Sequence, residues 1–165
     1  MRRLFLLVPV LLVLLLAACA TPLDDSRLVV GRSTLAEVQA LFGAPTRTWP
    51  EADGGSTLEY AQQPYGAHCP MLRFGADGRL LGKRDGLAPA ERARVEPGMG
   101  VEQVLRLLGR ERTRSSYANG EDVWDWNVEP SFSGTWLRFN VHFVNGVVAR
   151  TSETVVDPSR MRWAL

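Results

Sequence analysis

The chain has 165 residues, of which 45% are hydrophobic and 22% are charged, and its formal net charge is +1. This near-neutral balance argues against nucleic acid as a partner, because binding to phosphates requires concentrated positive charge. Two cysteines, Cys19 and Cys69, are too few for a disulfide-stapled mini-protein and make a zinc cluster unfavourable.

Residues 1–18 are predicted to be a signal peptide. Arg2 and Arg3 precede residues 4–18, which contain no polar side chain, and this order is typical of an export signal. A helix of that length would measure about 22 Å, less than the roughly 30 Å hydrocarbon core of a bilayer. A permanent transmembrane span is therefore disfavoured.

The apolar run ends in Leu16-Ala17-Ala18-Cys19, which resembles the bacterial lipobox. The resemblance implies cleavage before Cys19, diacylglycerol on its sulfur and a further acyl chain, such as palmitate, on the new N-terminus. Two or three such chains anchor a protein stably. Ala20 rather than aspartate follows, which in Gram-negative sorting implies the outer membrane. The alternative is an ordinary cleaved signal in which Cys19 is incidental.

The mature chain is expected to be a lipid-anchored protein at the periplasmic face of the outer membrane. It would have 147 residues, with 17 basic and 18 acidic side chains, and a net charge of −1. Residues 19–27 would form a short polar tether that carries the lipid on Cys19.

Two short amphipathic helices are predicted, one in each half of the mature chain. The first begins after Thr34, which forms a capping box with Glu37, and ends at Gly43. The second ends at Gly109, and both glycines are expected to need a positive φ. Helices of eight or nine residues are unstable alone, so each is expected to pack on a sheet.

Strand signals follow each helix. In the first half, Asp77-Gly78 is the predicted turn of a hairpin between residues 72–74 and 79–81, after an upstream strand at 57–62. In the second half, Asn145-Gly146 lies between strands at 136–144 and 147–153, after a strand at 123–128. The segment between each helix and its first strand is predicted to be irregular or a short helix.

The predicted fold class is α+β, with two tandem units. Each unit has one or two short helices packed on an antiparallel sheet of about three strands. The units span residues 28–83 and 98–157, residues 84–97 form a linker, and residues 158–165 form a C-terminal tail. Units of this size are near the lower limit for an independent core, so we expect them to pack against each other.

The chain resembles the SmpA/OmlA, or BamE-like, lipoprotein domain. The motifs that carry this resemblance are Gly-x-Ser-Thr-x-x-Glu-Val-x-x-Leu-Phe-Gly-x-Pro from residue 31 and Gly-Met-x-x-x-Gln-Val-x-x-Leu-Leu-Gly from residue 98. The hairpin from Phe143 to Val148 fits it as well. The tandem arrangement is also similar to β-lactamase-inhibitor proteins. The first resemblance implies a role in β-barrel assembly or envelope integrity, with the β-barrel assembly machinery as a partner.

Strand alternation predicts one polar face in the second unit. It points away from the helices and is expected to be open, whereas Trp124 and Trp126 are expected to pack under a helix. A mixed polar face without a catalytic constellation suits protein binding better than catalysis. The candidate protein-binding residues are Asp125, Asn127, Trp136, Arg138, Asn140 and His142.

His68 and Cys69 are the sequence's one Cys–His pair, but adjacent residues in an extended loop point apart, and a base must reach the sulfur. Cys69 is therefore interpreted as a partly buried structural thiol. With no metal-ligand spacing and no catalytic grouping, we expect no cofactor other than the lipid on Cys19, no small-molecule substrate and no enzymatic activity.

These observations predict a non-enzymatic outer-membrane lipoprotein that binds another envelope protein. Three alternatives stay open. The chain could be an inhibitor-like module that clasps a periplasmic hydrolase between its two units, a cell-wall-binding spacer, or a thiol-dependent enzyme that uses Cys69.

Overall fold

The structure, a computed structural model, describes residues 25–130 and 135–157. The predicted signal peptide, Cys19 and the predicted tail 158–165 lie outside the described residues. Asp25–Arg27, at the end of the predicted tether, form one turn of 3-10 helix.

Two four-stranded antiparallel sheets and three short α-helices make up the fold. The first half contains α1 (Leu35–Phe42) and the strands β1 (Arg47–Pro50), β2 (Ser56–Glu59), β3 (Pro70–Phe74) and β4 (Leu80–Asp85). The second half contains α2 (Pro89–Arg92), α3 (Val101–Leu108) and the strands β5 (Thr113–Ser116), β6 (Glu121–Pro130), β7 (Trp136–Val144) and β8 (Val147–Val156). Each sheet follows chain order, β1-β2-β3-β4 and β5-β6-β7-β8.

Two features predicted for the ends of the longer helices are present: the capping box at Thr34 and a positive φ at both terminal glycines. The backbone N–H of Thr34 donates to Glu37 Oε2 at 2.7 Å, and the N–H of Glu37 donates to Thr34 Oγ1 at 3.3 Å, so the capping box is confirmed. Gly43 and Gly109 have φ of 76° and 77°. Their ψ values of −161° and −167° place both outside the left-handed helical region, in a region that is essentially restricted to glycine.

The prediction of about three strands per sheet is wrong, because β1 and β5 occupy the segments predicted to be irregular. Both are four-residue edge strands that lack alternating hydrophobic residues. β1 ends in Pro50, which is tolerated at a sheet edge because no ladder hydrogen bond is lost there. The predicted Asn145-Gly146 turn is confirmed, with φ of 51° and 77° at its two residues, as a tight hairpin requires.

Two hydrophobic clusters fill the interior, and the larger one joins the two halves. In the smaller cluster, Val38 of α1 is buried together with residues of the first sheet. The larger cluster contains Val104 of α3 and Trp126 of β6, and it also contains Trp49, Cys69 and Met71 of the first half. The expected contact between the halves is therefore present.

The segment predicted as a linker contributes to this shared core. Leu87 and Val95 are buried in the larger cluster, on either side of α2. Arg92 of α2 is also buried, with its guanidinium contacting Glu153 at 3.0 Å. The predicted linker, residues 84–97, is therefore partly buried in the core that joins the halves, and β4 continues into it as far as Asp85.

Candidate functional site

The strand register brings the predicted polar residues together on the second sheet. Asp125 of β6 is opposite Asn140 of β7, and Asn127 is opposite Arg138. The expectation that this face is open is wrong for most of it. Asp125, Asn127, Asn140 and His142 are each no more than 9% exposed, whereas Trp136 and Arg138 are half-buried. All six residues lie on β6 and β7, the two central strands of the sheet. Side chains of neighbouring residues pair with the polar groups of these strands and cover them.

Arg112 covers one end of this face. Its Nη2 donates to Asp125 Oδ2 at 3.0 Å and its Nε donates to the other carboxylate oxygen, while the Thr113 hydroxyl also donates to Asp125. Burial of Arg138 and the nearby charge of Arg112 lower the pKa of Arg138. Because an arginine pKa lies far above neutrality, Arg138 stays charged despite this shift. The Asp125 carboxylate is thus already occupied by donors of its own chain.

His142 lies within a second group of polar contacts. Its Nδ1 is 2.9 Å from Glu121 Oε1, and its Nε2 is 2.8 Å from Ser152 Oγ and 3.1 Å from Arg150 Nη1. Burial raises the pKa of Glu121, but its hydrogen bond to His142 and the charge of Arg150 outweigh this, so the pKa is lowered overall.

The order Ser152–His142–Glu121 is that of a nucleophile, a base and an orienting carboxylate. Both ring nitrogens of His142 are engaged by side chains of its own chain, Nδ1 by Glu121 and Nε2 by Ser152 and Arg150. Nε2 is therefore not reserved for the Ser152 hydroxyl, as a general base would require. This arrangement favours a structural role for the group.

Cys69 and His68 point in opposite directions, as expected. Cys69 is fully buried, more completely than predicted, whereas His68 is exposed and places Nδ1 2.6 Å from Asp85 Oδ2. Burial, together with the charges of Glu59 and Asp85, raises the pKa of the Cys69 thiol well above its usual value. A buried thiol of raised pKa is a poor nucleophile, because the thiolate is the reactive form.

A loop of the first half occupies part of the predicted face. The Gln63 side-chain amide donates to Asn127 O at 2.7 Å, and its Oε1 accepts from Asn127 N at 3.2 Å. Asn127 Nδ2 also donates to Pro64 O at 2.8 Å. The Gln63 side-chain amide therefore hydrogen-bonds to the backbone of β6 in the way a neighbouring strand would. It does so at Asn127, past Asp125, which is the last residue of β6 that pairs with β5. Sequence reasoning missed this contact, which joins residues 64 positions apart and leaves no local signal.

Tyr65 is the most prominent side chain of the same loop and was also missed. It is 90% exposed, and the loop that carries it is fixed by hydrogen bonds from Tyr65 N and Gly66 N to Gln62 O, at 3.1 and 2.8 Å. A Cβ on Gly66 would lie 2.5 Å from Gln62 Cβ, so the turn is closely packed. The signal that could have located it is the Pro-Tyr-Gly sequence at the tip of a turn.

Glu59 forms a second connection between the halves. It is fully buried on β2, where Oε2 accepts from Trp49 Nε1 at 3.0 Å and Oε1 accepts from the backbone N–H of Arg110 at 2.7 Å. Arg110, two residues after the end of α3, is thereby attached to the first sheet. A buried carboxylate is stable only when its oxygens are hydrogen-bonded, and here both are.

A cavity of about 440 Å³ lies next to this connection, between the first sheet and α3. We call it the junction cavity. Five cationic side chains from both halves line it, together with the acidic side chain of Glu51. The cationic residues are Arg73, Lys83, Arg84, Arg94 and Arg106.

Among the described residues there is no group of three or more His, Cys, Asp or Glu side chains that could hold a metal ion. The part of the chain that the structure describes also contains no helix long and apolar enough to cross a membrane.

Comparison with known proteins finds a partial similarity to one curated relative. No family model matches the chain. The chain is 35% identical over 74 residues to the outer membrane protein assembly factor BamE of Neisseria meningitidis serogroup B. This alignment covers 43% of the chain and 58% of the relative, so the chain spans less than two thirds of that protein's length. The similarity agrees with the BamE-like motifs over part of the chain, and a second BamE-like copy stays a prediction.

A solved structure of a proposed β-lactamase inhibitor protein from Streptococcus mutans is a more distant neighbour. It has 11% sequence identity and a TM-score of 0.31, with 79% of this chain and 88% of that chain covered. At this TM-score the likeness carries no argument about fold or function.

Proposed function

We propose that this protein is a non-enzymatic lipoprotein of the outer membrane that faces the periplasm. It would bind another envelope protein, either during outer-membrane protein assembly or in maintaining envelope integrity. The observation that carries the proposal is the 35% identity over 74 residues to BamE, a protein named as an outer-membrane protein assembly factor. The lipobox ending at Cys19 supports the membrane attachment. Two tandem BamE-like units, one per sheet, are part of the same proposal.

The side-chain contacts weigh against catalysis at the polar face and at Cys69. The polar residues of the second sheet are paired with one another, and the Nε2 of His142 is engaged by Arg150. Cys69 is buried with a raised pKa, which is unfavourable for the alternative of a thiol-dependent enzyme. No specific contact favours the inhibitor-like module or the cell-wall-binding spacer, and both stay predictions.

The accessible part of the polar face is continuous with the Tyr65 loop. Pro64 O accepts from Asn127 Nδ2, and Asn127 Oδ1 in turn accepts from Arg138 Nε at 3.4 Å. Tyr65 and the half-buried Trp136 and Arg138 therefore lie at one end of the second sheet. Tyrosine, tryptophan and arginine are the residues that most often dominate binding energy at protein interfaces. We assign the docking surface to these three side chains.

Co-purification from the native membrane tests this assignment. Tyr65→Ala is expected to reduce recovery of the envelope partner strongly, because a central tyrosine contributes about 2 kcal/mol or more at an interface. Tyr117→Ala is the matched control, since Tyr117 is also exposed but lies in the turn between β5 and β6. Equal recovery with both variants would contradict the assigned surface. Absence of any envelope protein in the wild-type sample would contradict the proposed function.

A further inference from the structure

The junction cavity concentrates positive charge where the two halves meet. Its walls come from all four strands of the first sheet, from the residues after α2 and from α3, so neither half forms it alone. Five cationic side chains line it against the one carboxylate of Glu51, whose Oε1 already accepts from the Thr57 hydroxyl at 2.6 Å. A cavity of about 440 Å³ is within the range of ligand sites.

Backbone carbonyls hold two of the guanidinium groups in place. Arg84 donates from Nη1 to Leu107 O and from Nη2 to Arg106 O, both at 2.7 Å, at the C-terminal end of α3. Arg106 donates from Nη1 to Pro50 O at 3.3 Å. Carbonyl oxygens fix the orientation of a guanidinium without neutralising its charge, so both groups are preorganised and still able to attract an anion.

Nearby carboxylates neutralise the arginines of the cavity only in part. Glu91 Oε2 is shared between Arg84, at 3.2 Å, and Arg94, at 2.7 Å. Arg73 pairs with Asp53, whose side chain is about half exposed, and Arg106 pairs with an exposed glutamate on its own helix. Ion pairs at such exposed positions are weak, so a ligand carboxylate can compete for these cations.

The floor of the cavity is apolar. Trp49, Met71 and Leu107 line it, and the Arg106 guanidinium lies 4.8 Å from the Trp49 ring centroid. The cations are distributed over four separate segments around this floor. A single compact anion such as phosphate would contact few of them, whereas a peptide with several carboxylates along its length could contact most and place an aliphatic side chain against Leu107.

We propose that the junction cavity binds an acidic peptide segment of a partner protein, with carboxylates on Arg73, Arg84, Arg94 and Arg106 and an apolar side chain against Leu107. This inference rests on the proposed function, because the segment would belong to the bound envelope protein. Since both halves supply the cations, the segment would bind only when the two sheets keep the relative arrangement described here.

The test uses the full lipoprotein in neutral detergent and an end-capped peptide of alternating glutamate and leucine. The readout is the indole N–H signal of Trp49 in a proton–nitrogen NMR spectrum, assigned with Trp49→Phe. We expect a saturable shift with the glutamate peptide, weakening as salt is added, and none with the peptide in which glutamine replaces glutamate. No shift with the glutamate peptide would overturn the proposal.

Charge reversal at the rim provides the specificity control. Arg73→Glu combined with Arg94→Glu is expected to weaken peptide binding about tenfold or more, and Arg94→Gln alone by less. These side chains are 47% and 60% exposed, so the fold should survive, and a melting curve checks this. Arg79→Glu changes a similarly exposed arginine just before β4 that does not line the cavity, and it should change affinity less than about twofold. Equal effects of the rim and control variants would contradict the site.

Two further outcomes separate this inference from the proposed function. If inorganic phosphate shifts the Trp49 signal as strongly as the glutamate peptide does, the cavity is a site for compact anions and the peptide assignment is wrong. If the rim variant still recovers the wild-type amount of envelope partner, the inference fails and the proposed function stands. If the wild-type protein recovers no envelope partner, the proposed function fails whatever the peptide does.

Discussion

Gly43 and Gly109 end α1 and α3 in nearly the same backbone conformation, so replacing each with alanine separates backbone strain from crowding. Their φ values are 76° and 77°, with ψ near −165° in both, a region that costs a residue with a side chain about 1–3 kcal/mol. A Cβ at Gly43 would meet nothing within 4 Å. Gly43→Ala should therefore lower the free energy of unfolding by about 1–3 kcal/mol, from backbone strain alone.

Gly109→Ala is expected to cost more. A Cβ there would lie 2.2 Å from Cys69 Sγ and 3.0 Å from Met71 Cε, both buried in the cluster that joins the two halves. Overpacking of a core costs about 1–3 kcal/mol, so the total should be roughly 2–6 kcal/mol. Urea unfolding followed by circular dichroism measures both variants.

A double-mutant cycle with Cys69→Ala identifies the cause. Removing Sγ takes away the nearest obstacle to the new Cβ, while Met71 Cε at 3.0 Å stays, so Gly109→Ala should cost less in the Cys69→Ala background than in the wild type. The reasoning is refuted if Gly109→Ala costs no more than Gly43→Ala, or if Cys69→Ala leaves the cost of Gly109→Ala unchanged.

Three further predictions concern the buried and paired side chains. Glu59→Leu should lower the free energy of unfolding by about 2–4 kcal/mol, because it leaves two buried N–H donors unpaired, and urea unfolding measures this with Glu59→Gln as the milder control. The Cys69 thiol should resist a thiol reagent in the folded protein at pH 8 and react in urea. Folding raises the pKa of the Cys69 thiol, so the stability that this thiol contributes at pH values below its unfolded pKa should be lost as the pH rises towards its folded pKa. Cys69→Ala should remove this loss of stability at alkaline pH. Because the pKa of Glu121 is lowered on folding, the stability it contributes near neutrality should fall as the pH drops below its ordinary value of 4.5, and thermal melts of Glu121→Gln should show less acid dependence than the wild type.

Local signals in the sequence were sufficient to predict the two longer helices and the hairpins. The capping box at Thr34, the positive φ of Gly43 and Gly109, and the Asn145-Gly146 turn each depend on residues within a few positions of one another. The edge strands β1 and β5 were missed because neither has an alternating pattern. An edge strand gains its stability from pairing with its neighbour, and the sequence of the edge strand alone does not predict that pairing.

The candidate site was predicted in position but not in environment. Strand alternation correctly placed Asp125 and His142 on one polar face, yet their burial depends on Arg112, on Arg150 and on the loop around Gln63. The junction cavity was not predicted at all, because its cations come from four segments that share no motif. Contacts between segments that are distant in sequence therefore determine the accessibility of the polar face and the charge of the junction cavity.

The central claim is that this chain binds an outer-membrane assembly protein through the surface around Tyr65. The most direct measurement is photocrosslinking in intact cells with a photoreactive residue at position 65, compared with the same residue at the exposed position 117. We predict that position 65 captures a component of the β-barrel assembly machinery and that position 117 does not. Capture of a periplasmic hydrolase, of peptidoglycan, or of no envelope component at position 65 would contradict the account.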